Sequence, residues 1–543
     1  MDSNLLPIAV AVGVVVISIV ITILKSRKSG VPKASSTKFH NWGRNINCQV
    51  DQIWEPRTKE DLKWIVKEAH KLKKKVRAVG DGHSWSPMWF EGKTKSGWIV
   101  KSNNLNQTGF DEKNKRIIVG PGVLIGELMR LELKHKHCVP VQVVLQEVMI
   151  GGVIGTGCHG TGRDRNTVSD YVYSMTLILW DGTERTITKE DGDLFDAVKS
   201  GFGAFGLVYE IQFDTVPMPI VSVTDMTVPT SQVYDRNDPS KLKNFIESHD
   251  YVEVFWFPLN TQDKLWLKTF KYAPGKIPTD QPTLHQKLGL LAVPASHIFA
   301  FLENKVPHWV PEISDAFLFG LDNQKNEIQN LSYAMHFQNY LEEYAPMLDT
   351  EICIRVDDDY ANVVEAFTGI IDITREWQKR GKYPLNVCLE CRFIANSTAL
   401  LSPAYGPAGS HHCYIEIISY DRTPEFDEYM RECFLPWFTQ KKWNAIPHLG
   451  KYWQKLNDHK TGFDIQDYVR KTMGDRFDRF VKVRDEIDPH GMFLNPFLDN
   501  FFHPKKPKGT QANDASHPLI AHMKAGVAEK FAKAKQATTA TNA

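Results

Sequence analysis

Cysteine is scarce in this chain, 8 of 543 residues, too few for a disulfide scaffold. The C-x-x-C pair Cys388 and Cys391 has no second ligand pair at zinc spacing. On a strand its two side chains would face opposite sides, so no metal site is expected. An excess of charge of one sign is also lacking. The 65 Lys and Arg stand against 64 Asp and Glu, a net of +1, so no global field favours nucleic acid. The basic cluster Lys71 to Lys75 reads as the solvated end of a helix. There is no internal repeat, which removes solenoid architectures. One long apolar run stands out, Leu5 to Leu24, without a single charge. As a helix it would span about 30 Å, one hydrocarbon core. Asp2 precedes it and Lys25-Ser26-Arg27-Lys28 follows. That pattern predicts an uncleaved single-pass membrane anchor rather than a signal peptide, with the body of the chain on the cytosolic side. An endoplasmic reticulum or mitochondrial membrane would suit it.

What is present is glycine, in two concentrated stretches. The first runs from Val76 to Pro87: an alternating strand, Val76 to Val79, enters Gly80-Asp81-Gly82-His83-Ser84. Two glycines in three residues permit a tight turn and a close backbone approach to a ligand, and their N–H groups can gather around an anion such as a diphosphate. The second, Gly151 to Gly162, holds Gly151, Gly152, Gly155, Gly157, Gly160 and Gly162 around Thr156, Cys158 and His159. So much glycine excludes a core strand or helix and fits a backbone wrapped around a cofactor. Gly155, Gly157 and Gly160 match G-x-G-x-x-G, but no apolar helix follows, only Arg163-Asp164-Arg165-Asn166, so a Rossmann site is not supported. Asp181, the tempting downstream acid, sits in Asp181-Gly182, read as a type I′ hairpin turn between Ser174–Leu179 and Glu184–Ile187.

Together these stretches resemble the FAD-binding domain of the vanillyl-alcohol oxidase superfamily. Gly203-Ala204-Phe205-Gly206-Leu207-Val208 resembles that domain's last cofactor-contacting segment. Phe255-Trp256-Phe257-Pro258, Leu389-Glu390-Cys391-Arg392-Phe393, Pro447-His448-Leu449-Gly450-Lys451 and Met492-Phe493-Leu494-Asn495 resemble the sugar-1,4-lactone oxidases: gulonolactone oxidase, arabinonolactone oxidase and galactonolactone dehydrogenase. The motifs run in order through residues 40–503. The fold class implied is α+β, a two-domain flavoprotein with an FAD-binding domain and a substrate domain, behind an N-terminal transmembrane helix. The expected organisation is an anchor at 1–28, a polar linker at 29–40, the FAD-binding domain at 41–218 and the substrate domain at 219–503. The segment 484–503 would pack back on the FAD domain, and 504–543 would be a disordered tail.

Local patterns support alternating strands and helices. Leu62, Ile65, Val66, Ala69 and Leu72 mark one helix face. Arg116 to Val119 is a strand leading through Gly120-Pro121-Gly122 into a helix near Leu124. Further on, Tyr251 to Trp256, Val387 to Phe393 and Tyr414 to Ser419 read as strands, and Ala361 to Lys379 and Asp427 to Thr439 as helices.

The resemblance implies FAD as cofactor, covalently held at its 8α-methyl by His83. It places Gly80, Asp81, Gly82, His83, Ser84, Pro121, Gly122, Gly152, Gly155, Thr156, Gly157, His159, Gly160, Gly206, Val208 and Asn495 against it. Asp81 departs from the family's small residue, and its carboxylate is expected to point away from a diphosphate. Pro121 lies where a residue is held to gate oxygen, which favours an oxidase. Glu390 and Arg392 share one strand face by period-two alternation. Their chemistry suits alcohol oxidation: a carboxylate to take the hydroxyl proton, a guanidinium to stabilise charge on a reduced flavin. Lys451 and His448 complete the implied catalytic set. The expected reaction is oxidation of an aldonolactone at C2, with dioxygen as acceptor, giving ascorbate or an analogue and hydrogen peroxide. The rivals are an alditol or carbohydrate oxidase, disfavoured by Val153 where a related alditol oxidase has Ser, and a non-catalytic FAD-binding membrane protein.

Overall fold

The computed structural model describes residues 30–275, 284–321, 326–337, 343–441 and 443–504. The expected membrane span Leu5 to Leu24 and the expected tail lie outside these residues. Among the described residues no helix is long and apolar enough to cross a membrane. The transmembrane part of the expected fold, the membrane as partner and the single-pass localisation are therefore corrected. Among the described residues the fold is two-domain α+β, with no membrane-spanning helix.

The first lobe is built around two main sheets, beside a small one of Lys38–His40, Asn47–Gln49 and Gly92–Lys93. A parallel sheet holds β1 (Gln52–Trp54), β2 (Lys75–Val79) and β3 (Gly97–Lys101), with β3 in the middle. An antiparallel sheet holds β4 (Thr108–Asp111), β5 (Arg116–Val119), β6 (Val172–Ile178), β7 (Glu184–Thr188) and β8 (Leu207–Asp214), in the order β7-β6-β8-β5-β4. Helix α1 (Lys59–Lys71) starts at a capping box, Thr58 with Asp61, which is worth about 1 kcal/mol. It buries Leu62, Ile65, Val66 and Ala69 against the parallel sheet. Leu72, expected on that face, is the C-cap residue and is 47 % exposed.

The hairpin β6–β7 forms as expected, but its turn is not type I′. Only Gly182 has positive φ (82°), while Gly182 N–H donates to Leu179 O and Leu179 N–H to Thr183 O. That is the three-residue loop with a left-handed glycine. The second glycine stretch, which follows helix α2 (Ile125–His135), also differs from expectation: its first part is a short helix, α3 (Ile150–Gly155). Residues 30–40, expected as a linker, lie on the lobe: Val31 is in its core cluster and Ala34 N–H donates to Ile53 O.

The second lobe is built on one eight-stranded antiparallel sheet. Its strands are β9 (Ile220–Pro229), β10 (Tyr251–Trp256), β11 (Lys264–Tyr272), β12 (Glu327–Asn330), β13 (Met347–Arg355), β14 (Cys388–Ala395), β15 (His411–Tyr420) and β16 (Ile446–Pro447), in the order β12-β9-β11-β10-β14-β15-β13-β16. Helices α4 (Ala361–Lys379) and α5 (Phe426–Thr439) pack on each other through Trp377 and Tyr429. One sheet face is apolar: Leu389, Cys391 and Phe393 are buried there, and Cys391 Sγ lies 3.0 Å from Cys413 Sγ.

The last segment returns to the first lobe. Val76 N–H donates to Met492 O, and buried Arg77 donates to Met88 O, Phe493 O, Gly203 O and Phe202 O. One guanidinium thus ties the strand before the His83 loop to two distant segments. Burial pulls its pKa down to about 9.

Candidate active site

A cavity of about 750 Å³ lies between the glycine loops and the sheet of the second lobe, within the usual range for a ligand site. Two kinds of wall meet there, one of backbone and one of side chains.

The backbone wall carries most of the expected cofactor residues. Gly80, Asp81, Gly82, His83, Ser84, Pro121, Gly152, Gly155, Thr156, His159, Gly206 and Val208 all line the cavity. A Cβ added at Gly152 or Gly155 would meet nothing within 4 Å. Their faces form an open cradle, which fits a cofactor lying against them. Gly122, Gly157, Gly160 and Asn495 do not line the cavity. At Gly160 a Cβ would sit 2.0 Å from Gln142 O and at Gly122 2.0 Å from Ser102 O, so those glycines serve the packing of backbone on backbone. At Gly157 φ is +68° and a Cβ would crowd Ser200. Buried Asn495 donates to Pro87 O and Trp89 O and accepts from Leu498 N–H, holding the chain after the His83 loop. The His83 ring stacks on Trp42 at 5.7 Å between centroids. Asp81 accepts from Asn103 Nδ2 at 3.0 Å.

The side-chain wall is set by strand register. Glu390 of β14 stands opposite Glu416 of β15, and Glu416 opposite Glu351 of β13. Arg392 stands opposite Glu253 of β10. Alternation puts all five on one face together with Asp349. Arg392 Nε donates to Glu390 Oε1, and its Nη2 lies 3.9 Å from Glu416 Oε2. Lys451 Nζ donates to Asp349 Oδ2 and, at 2.6 Å, to Glu416 Oε1. It also lies over the Trp85 ring at 4.9 Å. Trp85 N–H donates to Gly450 O and Ser86 Oγ to Leu449 O, so the His83 loop and the Lys451 loop are bonded directly.

Burial and charge work against each other here. Burial pushes the Glu390 carboxyl up to about 8, against the pull of Arg392. Burial also raises Glu253 to about 7. Asp349 is raised well above the carboxylate range by burial and by Glu416 beside it. Glu416 goes the other way: burial would raise it, but Lys451, Asp349 and Arg392 hold it below that range. Lys451 and Arg392 stay charged although buried, because these carboxylates outweigh the burial. Neighbouring carboxyls with opposite shifts mark a candidate acid–base site.

His159 and His448 flank this floor. His159 Nδ1 faces Gly160 O at 2.9 Å and its Nε2 faces Glu351 Oε1 at 3.0 Å; its ring stacks on Tyr414 at 3.6 Å. His448 Nδ1 accepts from Gly450 N–H, and burial lowers its pKa to about 4. The ligating atoms of His159, Glu351 and His448 lie within 4.8 Å of one another. Those of His159 and Glu351 are bonded to each other, and the trio reads as hydrogen-bonded support for the floor.

Sequence reasoning reached Glu390, Arg392, Lys451 and His448 but missed Asp349, Glu351, Glu416 and Glu253. The one local signal was an acid at alternate positions within an apolar strand, as in Tyr414-Ile415-Glu416-Ile417.

Two family models match the chain. Residues 211–501 match the D-arabinono-1,4-lactone oxidase family, and residues 50–188 match an FAD binding domain. The chain is 25 % identical over 479 residues to L-gulonolactone oxidase of Scyliorhinus torazame, covering 86 % of this chain and 98 % of that protein. It is 24 % identical over 467 residues to L-gulono-1,4-lactone dehydrogenase of Mycobacterium tuberculosis, covering 84 % and 97 %. Among solved structures, a solvent-stable cholesterol oxidase superposes with a TM-score of 0.75 at 18 % identity, covering 87 % of this chain and 98 % of that one. A xylooligosaccharide oxidase from Myceliophthora thermophila superposes with a TM-score of 0.60 at 14 % identity, covering 86 % and 96 %. These likenesses carry the fold.

Proposed function

The chain belongs to the D-arabinono-1,4-lactone oxidase family, FAD-dependent oxidoreductases acting on CH–OH groups, and on that premise we propose that it oxidises a sugar 1,4-lactone at C2 to ascorbate or an analogue, with dioxygen as acceptor and hydrogen peroxide as co-product. The observation that carries this reading is the meeting of Glu390, Arg392 and Lys451 in one cavity with the glycine cradle. FAD, when bound, supplies a hydride acceptor. The residues of the chain do the rest. Glu390 takes the proton of the C2 hydroxyl, a role that suits a carboxyl poised near neutral pH. Arg392, charged at every working pH and planar, stabilises negative charge at the cofactor. Lys451, fixed by Asp349 and Glu416, donates to the lactone. His83, lining the cavity beside the glycine turn, is the residue we assign to covalent flavin attachment.

The test is anaerobic bleaching of the flavin by gulono-, galactono- and arabinonolactones and by alditols. Lactones should reduce it and alditols should not. Reduction by alditols alone would overturn the lactone assignment. Reoxidation by oxygen much slower than turnover with an artificial acceptor would overturn dioxygen as acceptor.

A further inference from the structure

Among the described residues of the floor, Glu416 holds a particular place. Glu390 is paired with Arg392, and Asp349 with Lys451. Glu416 reaches both cations: Oε1 is 2.6 Å from Lys451 Nζ, and Oε2 is 3.9 Å from Arg392 Nη2. Its side chain is 4 % exposed and lines the cavity. The groups facing it are Glu390 and Arg392 from β14, Asp349 and Glu351 from β13, and Lys451 and His448 from the chain after β16.

We propose that Glu416 is a positioning residue that fixes Lys451 and Arg392 at separate points of the floor and offsets part of their charge, so setting how strongly the site favours a reduced, anionic flavin. Each carboxylate oxygen faces a different cation, which favours keeping the two apart on the floor. The negative charge between them opposes a second negative charge arriving above, since like charges in a low-dielectric site repel more than in water. The inference rests on the assignment of the Glu390–Arg392 pair to the active site.

The test uses the FAD-loaded enzyme and sulfite, whose addition to flavin creates an anionic adduct. Glu416→Gln keeps the size and a hydrogen bond to Lys451 but removes the charge. Sulfite should then bind about tenfold more tightly, and the flavin midpoint potential should rise by about 30 mV, the equivalent of tenfold for a two-electron couple. Glu416→Asp keeps the charge but draws back from Lys451. It should leave sulfite affinity within about twofold of the parent while the KM for lactone rises more than kcat falls. Sulfite affinity and potential unchanged in Glu416→Gln, with only a lower Tm, would overturn the proposal, as would equal sulfite shifts in both variants. Normal turnover of Glu390→Gln would instead overturn the site assignment beneath it.

Discussion

The two walls of the cavity are built on opposite principles. The cofactor side is backbone from loops: Gly80 to Ser84 sit within five consecutive residues, and Gly152, Gly155 and Thr156 within another five. The floor is side chains from three strands and a loop: Asp349 and Glu351, Glu390 and Arg392, Glu416, and Lys451. A local motif can specify the first, because a glycine turn is a property of neighbours in the chain. Only sheet register can specify the second, and a one-residue slip would move every carboxylate to the opposite face. Loops should therefore fail by losing the ligand, and the floor by losing chemistry with the ligand still bound.

The sharpest test of that difference is Glu390→Gln. It should retain FAD and its Tm yet slow flavin reduction by about 10²–10⁴. In the parent, reduction should rise with pH through about 8, where the Glu390 carboxyl ionises, and the variant should lose that step. A flat parent profile between pH 6 and 9 would remove Glu390 as the base. On the other wall, His83→Ala should release all flavin colour to the supernatant after acid denaturation, whereas the parent band keeps its fluorescence. Flavin released from the parent as well would exclude the covalent link.

Glycine substitutions sharpen the comparison inside the cofactor wall. Gly155→Val places its side chain in the open cradle. It should weaken FAD binding by about 10–100-fold, the equivalent of ~1.4–2.8 kcal/mol, with little change in the Tm of the apoprotein. Gly160→Ala drives a Cβ against Gln142 O and should cost about 1–3 kcal/mol of stability. Thermal melts with and without FAD separate the two, and equal effects in both would show that the stretch has one role rather than two.

What could be read from the sequence follows the same line. Strands at Arg116–Val119 and Tyr251–Trp256 and the helix Ala361–Lys379 form where periodicity placed them. So does the shared face of Glu390 and Arg392, because alternation is local. The glycine content from Gly151 argues against a helix, yet α3 forms: Gly151 packs on Pro121, and Gly152 and Gly155 turn their bare faces to the cavity. Tertiary contact overrode propensity there. Glu416 and Glu351 were missed because nothing near them in the chain reveals which residues lie opposite across the ladder.

The smallest expected effect contrasts the floor with a buried carboxyl outside it. Glu132 of the helix Ile125–His135 accepts from Val139 N–H, Gln142 Nε2 and Ser332 Oγ, the last from the second lobe. Burial raises its pKa from 4.5 to about 7, much as burial raises Glu390. Below pH 4.5 the folded and unfolded states both hold the proton. Between pH 4.5 and 7 the unfolded chain releases it first, so stability falls as pH rises through that window, and the loss is complete above it. At ~1.4 kcal/mol per pH unit the full loss is about 3.5 kcal/mol. Glu132→Gln removes this titration, so the difference in unfolding free energy between pH 5 and pH 8 should shrink by about 1–3 kcal/mol, read by urea melts at the two pH values. The pH dependence of flavin reduction should stay as in the parent, because Glu132 does not line the cavity. A variant that moved the kinetic profile as well would mean that carboxyls on the two sides of the lobe junction titrate as one system, and the separation of a structural from a catalytic buried acid would fail.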